Sequence, residues 1–300
     1  MASIRRIRRH ASSMNRKAEF MQVMYLDFDS SSSNGDHLRR GRKIYKESMP
    51  KQKKLNEKRA RRYFEALVEA NFKGGRDLVL HLTFRKENYP ESEEEAKKRV
   101  KAFLRNINGK RKRRGLGNAR YIIVFEVSKT GRFHFHIIMD GEMDRDTVEA
   151  TWTHGYCNAD RLKADSRDGL SAIISYLAKG GGNLPSGEEN ERSKWQKRWI
   201  PSRGLVRPWI SEAKSSISKK RFASIVELPE DSELFISAIE KDNKGYRVQS
   251  IEKSFNEQTG RWYIFCRMRL KEVNEKKKNI STGKTQPVDK KEEGSGLNEI

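Results

Sequence analysis

Alternating hydrophobic and polar positions mark three strands in the middle of the chain. The alternation covers residues 77–85, 121–128 and 132–140, and this spacing puts every second side chain on the same face of a strand. The second and third segments are joined by Lys129-Thr130-Gly131, a three-residue connection whose glycine suits a left-handed backbone. These two segments therefore predict a β-hairpin.

Helical spacing separates and follows these strands. Ser92, with Glu95 three residues later, forms a capping box before a run of apolar residues at helical intervals. The remaining predicted elements are a short helix over residues 144–152, a short strand over 156–162 and a helix over 168–179. The order β-α-β-β-α-β-α predicts an α+β fold, with a ferredoxin-like or RRM-like antiparallel sheet. We expect its helices on one face and a metal and tyrosine site on the other, open face.

The pattern divides the chain into four segments. Residues 51–72 predict a helix that docks by one face, and the first 35 residues are equally typical of a solvated tail without a role. After Trp209 we expect a strand over 222–227, a helix over 230–241 and a hairpin from 246–254 to 261–270. The predicted segments are a basic flexible arm (1–60), a nicking-endonuclease domain (61–215), a small α/β extension (216–273) and a disordered tail (274–300).

The charge of the chain indicates a polyanionic partner. Lysine and arginine number 64 against 41 acidic residues, a formal net charge of +23. Such a surplus attracts nucleic acid in a salt-dependent way, although ribosome-associated and membrane-surface proteins share it. Cys157 and Cys266 form no metal-binding or disulfide pattern, and no apolar run approaches the roughly 20 residues of a membrane span. We therefore expect a cytoplasmic protein that has no contact with a membrane.

Two histidines on one strand are candidate metal ligands. His134 and His136 lie two residues apart and so share a face. With Gly131 in the left-handed position, Glu126 falls directly opposite His134 across the hairpin, at roughly 5 Å between β-carbons. Two imidazoles and one carboxylate suit a divalent cation, Mg²⁺ or Mn²⁺. The alternative is two histidines on the polar face of an edge strand, one of them merely paired with Glu126.

A tyrosine on the last predicted helix is the candidate nucleophile. Leu170, Ile173, Ile174 and Leu177 form a buried stripe, which leaves Tyr176 and Lys179 side by side on another face. An unassisted tyrosine is almost wholly protonated at neutral pH, so a cation that stabilises the phenolate or the transferred charge would help it attack phosphorus. The alternative is a boundary tyrosine beside a solvated lysine.

Basic and aromatic residues outside this pair are candidate DNA contacts. The run Lys110, Arg111, Lys112, Arg113, Arg114 precedes the hairpin and could hold the DNA backbone, or it is a solvated loop. Trp195 and Arg203 belong to a stretch in which tryptophans and basic residues interleave, which suits base stacking, although a buried tryptophan fits as well. Thr282-Gly283-Lys284-Thr285 lacks the first glycine of a P-loop, so we expect no fused helicase.

Three motifs together resemble the HUH endonucleases, and specifically the single-tyrosine rolling-circle replication initiators of phages and plasmids. They are Leu80-His81-Leu82-Thr83-Phe84, Glu126 with His134-Phe135-His136, and Tyr176-Leu177-Ala178-Lys179. Trp152 with Gly155, and Ser202 to Leu205 with Pro208, also resemble segments of such proteins. The resemblance covers about residues 76–210, with the motifs in the family's order and spacing.

The resemblance implies a mechanism and partners. Glu126, His134 and His136 would hold the cation, Tyr176 would cut single-stranded or hairpin origin DNA and stay joined to the 5′ phosphate, and the freed 3′-hydroxyl would prime synthesis. Lys179 would orient the phosphate. A host helicase and polymerase are implied. Only one tyrosine lies in the motif, so the terminating step stays open. A transposase or relaxase with the same chemistry, and a non-catalytic single-strand binder, remain alternatives.

Overall fold

A computed structural model of the chain describes residues 2–14, 16–29, 50–128, 130–165, 169–178, 199–257 and 260–271. The elements in chain order are β1 (Ala2–His10), β2 (Phe20–Asp29), α1 (Pro50–Asn71), β3 (Leu78–Leu82), α2 (Glu93–Arg113), β4 (Tyr121–Val127), β5 (Phe133–Met139), α3 (Arg145–Thr151), β6 (Cys157–Arg161), α4 (Ser171–Ala178), β7 (Ile200–Pro201), β8 (Trp209–Lys214), α5 (Lys219–Glu227), α6 (Glu233–Asp242), β9 (Tyr246–Asn256) and β10 (Arg261–Leu270). The predicted α+β class is confirmed, and the strands form two five-stranded antiparallel sheets.

The first sheet, here called the histidine sheet, has the strand order β6-β3-β5-β4-β7. Its first four strands with α2 and α3 follow the β-α-β-β-α-β order, with strands one and three in the middle, as in a ferredoxin-like arrangement. Gly131 has a φ of 75°, which closes the β4–β5 hairpin as predicted. The hairpin register therefore follows from the loop.

Helices α2 and α3 cover one face of the histidine sheet. Helix α2 begins where the side chain of Ser92 accepts a hydrogen bond from the backbone N–H of Glu95 at 3.2 Å, which confirms the predicted cap. The apolar stripe of α2 packs on the odd face of the strands, and Trp152 at the end of α3 is 5% exposed. This layer is the main core of the domain.

The opposite face of the histidine sheet is not open along its length. Helices α1 and α4 cover one end of it, where Phe64, Leu67 and Leu177 join the strand residues Ile122 and Ile138 in a second apolar cluster. The expectation of helices on one face only is therefore wrong. The reason is that the stripe of α1, which the sequence placed outside the sheet's own motif, needs an apolar surface to bury, and this face supplies it.

The second sheet, here called the terminal sheet, has the order β8-β1-β2-β10-β9. Helices α5 and α6 pack on one of its faces. Because β1 and β2 lie at its centre, the prediction of a flexible arm is wrong for residues 2–10 and 20–29. The predicted arm and the predicted extension thus build one sheet together, and they are not separate appendages.

The arginines of β1 explain this correction. Arg6 forms an ion pair with Asp242 at 2.7 Å, and Arg8 donates hydrogen bonds to the backbone oxygen of Asp242 at 2.8 Å and to the side chain of Asn243 at 2.9 Å. A basic segment with fixed partners can form a central strand, whereas the same residues read alone resemble a solvated tail.

The predictions after Trp209 are confirmed in part. Residues 222–227 belong to helix α5 and not to a strand, because Ser218 caps a helix at the N–H of Arg221 and Phe222, Ile225 and Val226 are buried at helical spacing. The helix α6 and the β9–β10 hairpin are confirmed. The predicted tail over 274–300 lies outside the described residues. Among the described helices, none has the length and apolar character needed to cross a membrane.

Candidate active site

Strand register brings polar side chains together on the face of the histidine sheet that α4 approaches. His81 pairs with His136 on one side and with Asn158 on the other, and Glu126 pairs with His134. The predicted pairing of Glu126 with His134 is therefore confirmed as a strand register. Alternation puts all five side chains on one face.

His136 lies at the centre of a chain of hydrogen bonds. Its Nε2 is 2.9 Å from Oε2 of Glu126, and its Nδ1 is 2.9 Å from Nδ1 of His81. The ring is 4% exposed. A neutral His136 that donates its Nε2–H to the carboxylate must accept at Nδ1, so His81 must donate its own Nδ1–H. His81 is thus a site residue that the sequence reasoning missed as a participant in the chemistry.

His134 is next to this chain but makes no hydrogen bond to Glu126. Its ring centroid lies 6.2 Å from that of His136, edge-on. Burial lowers the pKa of His134, against the opposing effect of the Glu126 charge, and burial with the neighbouring His136 lowers the pKa of His81. Both imidazoles are therefore neutral at pH 7, which is the form that binds metal ions.

The arrangement is a set of donors and not a formed coordination sphere. Within the described ranges, no three His, Cys, Asp or Glu side chains converge as a cation site. The donor types nevertheless fit a divalent cation, because Glu126, His134 and His136 offer one carboxylate and two neutral imidazoles on a single sheet face.

Tyr176 lies over this face. Its ring centroid is 5.5 Å from that of His136, with the ring planes at 88°, and it is 42% exposed. Partial burial and then the negative charge of Glu126 raise the pKa of Tyr176. The phenol is therefore protonated at neutral pH. The predicted partner Lys179 lies outside the described residues.

The packing of α4 sets the position of this phenol. Leu170, Ile174 and Leu177 are 2–3% exposed, which confirms the predicted buried stripe. They pack on Phe64 of α1, so Tyr176 projects from the free side of α4 towards His136.

The structure corrects one of the predicted DNA contacts. Arg111 is 1% exposed and its Nη1 and Nη2 bind Asp140 at 2.7 Å and Glu142 at 2.8 Å, so it stabilises the fold and is buried away from any DNA. Lys112 and Arg113 are exposed, and Lys110 and Arg113 line a pocket of about 460 Å³ between α2 and α3. This pocket is on the helical side of the histidine sheet, opposite Tyr176.

The other predicted contacts lie far from the histidines or outside the described residues. Arg114 binds Asp144 at 2.7 Å. Arg203 is exposed and follows Ser202, whose side chain accepts a hydrogen bond from the N–H of Tyr121 at 2.9 Å. Because Tyr121 and Glu126 lie at opposite ends of β4, Arg203 is roughly 16 Å along the sheet from the carboxylate. Trp195 lies outside the described residues.

The end of β3 beside the site is held by the segment after α3. Trp152 donates its Nε1–H to the backbone oxygen of Thr83 at 2.9 Å, and the N–H of Thr83 binds the oxygen of Tyr156. A β-carbon on Gly155 would overlap the oxygen of Thr83, so only glycine fits there. These contacts give Trp152 and Gly155 a structural role at the site.

The fold and site together define a ferredoxin-like domain that carries groups for acid–base, metal-binding and nucleophilic chemistry. Residues 77–181 match the model of the replication-associated protein ORF2 family. Comparison with curated proteins and with solved structures gave no match. The matched segment contains His81, Glu126, His134, His136 and Tyr176, and the match supports a replication initiator that binds DNA.

Proposed function

We propose that this protein initiates rolling-circle replication by nicking single-stranded DNA with Tyr176, in the manner of the single-tyrosine HUH endonucleases. The observation that carries the proposal is the phenol ring of Tyr176 at 5.5 Å from the ring of His136, which itself binds Glu126. All three lie in the segment that matches the replication-associated family. An exposed phenol above a metal-binding donor set has no structural role that would explain it.

The proposed reaction exchanges one phosphodiester bond for another. The phenolic oxygen of Tyr176 forms a bond to phosphorus, the bond from phosphorus to the 3′ oxygen breaks, and the phenolic proton is balanced by protonation of the leaving 3′ oxygen. The products are a 5′-phosphotyrosine and a free 3′-hydroxyl that can prime synthesis. A later attack by a 3′-hydroxyl on the phosphotyrosine rejoins the strand. No nucleotide is consumed.

Glu126, His134 and His136 are the residues that would hold a divalent cation, Mg²⁺ or Mn²⁺. When bound, such an ion supplies positive charge to the scissile phosphate. His81 donates to His136 and so fixes which ring nitrogen of His136 faces Glu126. Because the charge of Glu126 raises the pKa of Tyr176, neutralising that carboxylate makes the phenol easier to ionise.

The partners of the proposed function follow from its chemistry. The substrate is single-stranded or hairpin origin DNA, which the net charge of +23 attracts. Unwinding and synthesis are assigned to a host helicase and polymerase, and the site of action to the cytoplasm. A transposase or relaxase would use the same residues, and the cut sequence distinguishes these roles.

The nucleophile can be tested by trapping the covalent product. Purified protein is incubated with Mn²⁺ and a pool of single-stranded oligonucleotides that includes the element's own origin. We expect a denaturation-resistant adduct that Tyr176→Phe abolishes while DNA binding is retained. Tyr156→Phe is the matched control, because Tyr156 is 68% exposed at the edge of the same sheet. An adduct that persists in Tyr176→Phe would refute the assignment. DNA binding without any adduct would favour a non-catalytic binder.

The metal ligands need a second experiment. His134→Ala should lose cation-dependent cleavage because it removes one of three donors. Cleavage by His134→Ala at the wild-type rate with Mg²⁺ would show that His134 is not a ligand.

A further inference from the structure

We propose that the terminal sheet positions the nucleophile helix through Arg269, which holds Glu69 against the first turn of α4. The inference rests on the proposed role of Tyr176 as nucleophile. It assigns a function to residues 246–270, for which the sequence offered none. Arg269 is a positioning residue, since it contacts neither the histidines nor Tyr176.

Glu69 connects the two parts of the molecule. Its Oε1 accepts a hydrogen bond from Nη2 of Arg269 at 2.5 Å and another from the backbone N–H of Leu170 at 3.3 Å. Leu170 directly precedes α4, so Glu69 places a carboxylate at the N-terminus of the helix, where the backbone N–H groups lack partners within the helix. One carboxylate oxygen thus joins β10 to the start of the tyrosine helix.

The guanidinium of Arg269 lies against Gly169. A β-carbon on Gly169 would overlap that guanidinium, and the φ of Gly169 is +60°, so glycine is required on both grounds. The backbone of Gly169 is fixed in turn by two 2.8 Å hydrogen bonds with Asp165. The segment that leads into α4 is therefore shaped around a side chain of the terminal sheet.

A second contact from the terminal sheet supports the same connection. Gln249 of β9 donates its Nε2–H to the hydroxyl of Ser171, the first residue of α4, at 3.3 Å. Two strands of the terminal sheet thus touch the first turn of the tyrosine helix.

The burial of the ion pair makes the connection stiff. The side chains of Arg269 and Glu69 are 15% and 7% exposed. Burial raises the pKa of Glu69, against the opposing effects of Arg269 and the N–H of Leu170. Glu69 therefore depends on both partners to remain a carboxylate in this environment.

The length of α4 explains why an anchor at its start matters for the site. Helix α4 has eight residues, which is too short to be stable without tertiary contacts. Tyr176 lies six positions after Leu170, roughly 9 Å along the axis. A small tilt at the first turn would displace the phenol relative to His136, and misplacement by about 1 Å can cost 10²-fold in rate.

The test compares two neighbouring arginines of β10. Arg269→Ala should lower the rate of adduct formation by about 10- to 100-fold, with Kd for single-stranded DNA and for Mn²⁺ unchanged. Hydrogen exchange of the amides in residues 169–178 should accelerate. Arg267→Ala is the matched control, because Arg267 pairs with Glu65 at 2.8 Å and Glu252 at 2.9 Å and has no contact with α4. We expect wild-type rates from it.

A second variant keeps the test decisive. Gly169→Ala displaces the guanidinium without removing it, and it should reproduce the loss of rate and the faster exchange if Arg269→Ala does not fold. An unchanged rate and unchanged exchange in both variants would refute the inference, as would equal losses in Arg267→Ala. If the wild-type protein forms no adduct, the nicking function fails, whereas the exchange of residues 169–178 still decides whether Arg269 anchors α4.

Discussion

Replacing Arg111 tests whether this residue belongs to the fold or to a DNA-binding surface. Its guanidinium binds Asp140 at 2.7 Å and Glu142 at 2.8 Å, and its Nε donates to the backbone oxygen of Gly117 at 2.6 Å. Arg111→Ala removes all three contacts and leaves the carboxylate of Asp140 buried without its cation. The change should therefore destabilise the protein and should not affect DNA binding directly.

The size of the effect follows from the burial of each partner. Removing one member of a buried ion pair costs about 3–5 kcal/mol. The side chain of Asp140 is 1% exposed, but that of Glu142 is 42% exposed and can be solvated when Arg111 is lost. Asp140 also keeps the N–H of Arg120 as a donor. We therefore expect the lower end, about 3 kcal/mol, equivalent to a Tm lower by roughly 6–12 °C for a domain of this size.

Urea unfolding followed by circular dichroism measures this loss. Lys112→Ala is the matched control, because Lys112 is the exposed neighbour in the same helix and should change the free energy of unfolding by less than about 0.5 kcal/mol. Folded Arg111→Ala should bind single-stranded DNA with wild-type affinity. A loss of stability below about 1 kcal/mol together with weakened DNA binding would refute the structural role.

Two further predictions concern pH and thiol chemistry. Burial raises the pKa of Glu252, but hydrogen bonds from a lysine of α1 and an arginine of β10 outweigh it and lower the pKa to about 2. The contribution of Glu252 to stability is thus complete above about pH 4.3 and lost as the pH falls towards 2, so Glu252→Gln should flatten urea midpoints measured between pH 5 and 3. Burial raises the pKa of both cysteine thiols, that of Cys157 to about 12. Cys157 and Cys266 should react with a thiol reagent only on unfolding, and rapid labelling of the native protein would contradict their burial.

The histidine sheet was predictable because its signals are local. The cap at Ser92 and the loop glycine Gly131 each act over a few residues, and together they set the start of α2 and the register of the β4–β5 hairpin. The pairing of Glu126 with His134 therefore followed from the sequence.

The role of His81 was not predictable in the same way. Alternation placed it on the polar face of its strand, but its contact with His136 depends on β3 pairing with β5, which is 55 residues away in the chain. No local signal specifies that pairing. The same limitation hid the hydrogen bond of Glu126, which goes to His136 and not to the residue directly opposite.

The terminal sheet was missed because its partners are still more distant. The arginines of β1 bind Asp242 and Asn243, more than 200 residues later, so a basic segment read alone resembles a solvated arm. The alternating pattern of residues 20–29 was a usable signal for β2. The absence of a recognisable turn and partner nearby led to its being overlooked.

The strand order of the terminal sheet sets a sequence of events during synthesis. Strands β1 and β2 leave the ribosome first, but β2 pairs with β10, which ends at Leu270. The histidine sheet, whose strands all lie between Leu78 and Pro201, can therefore form while the β1–β2 pair still exposes apolar residues such as Val23 and Tyr25. Slow, late closure across the whole chain is expected from contacts of such high sequence separation. A nascent chain halted before β9 would carry a folded histidine sheet and an aggregation-prone hairpin, and by the Arg269 inference its tyrosine helix would still lack an anchor.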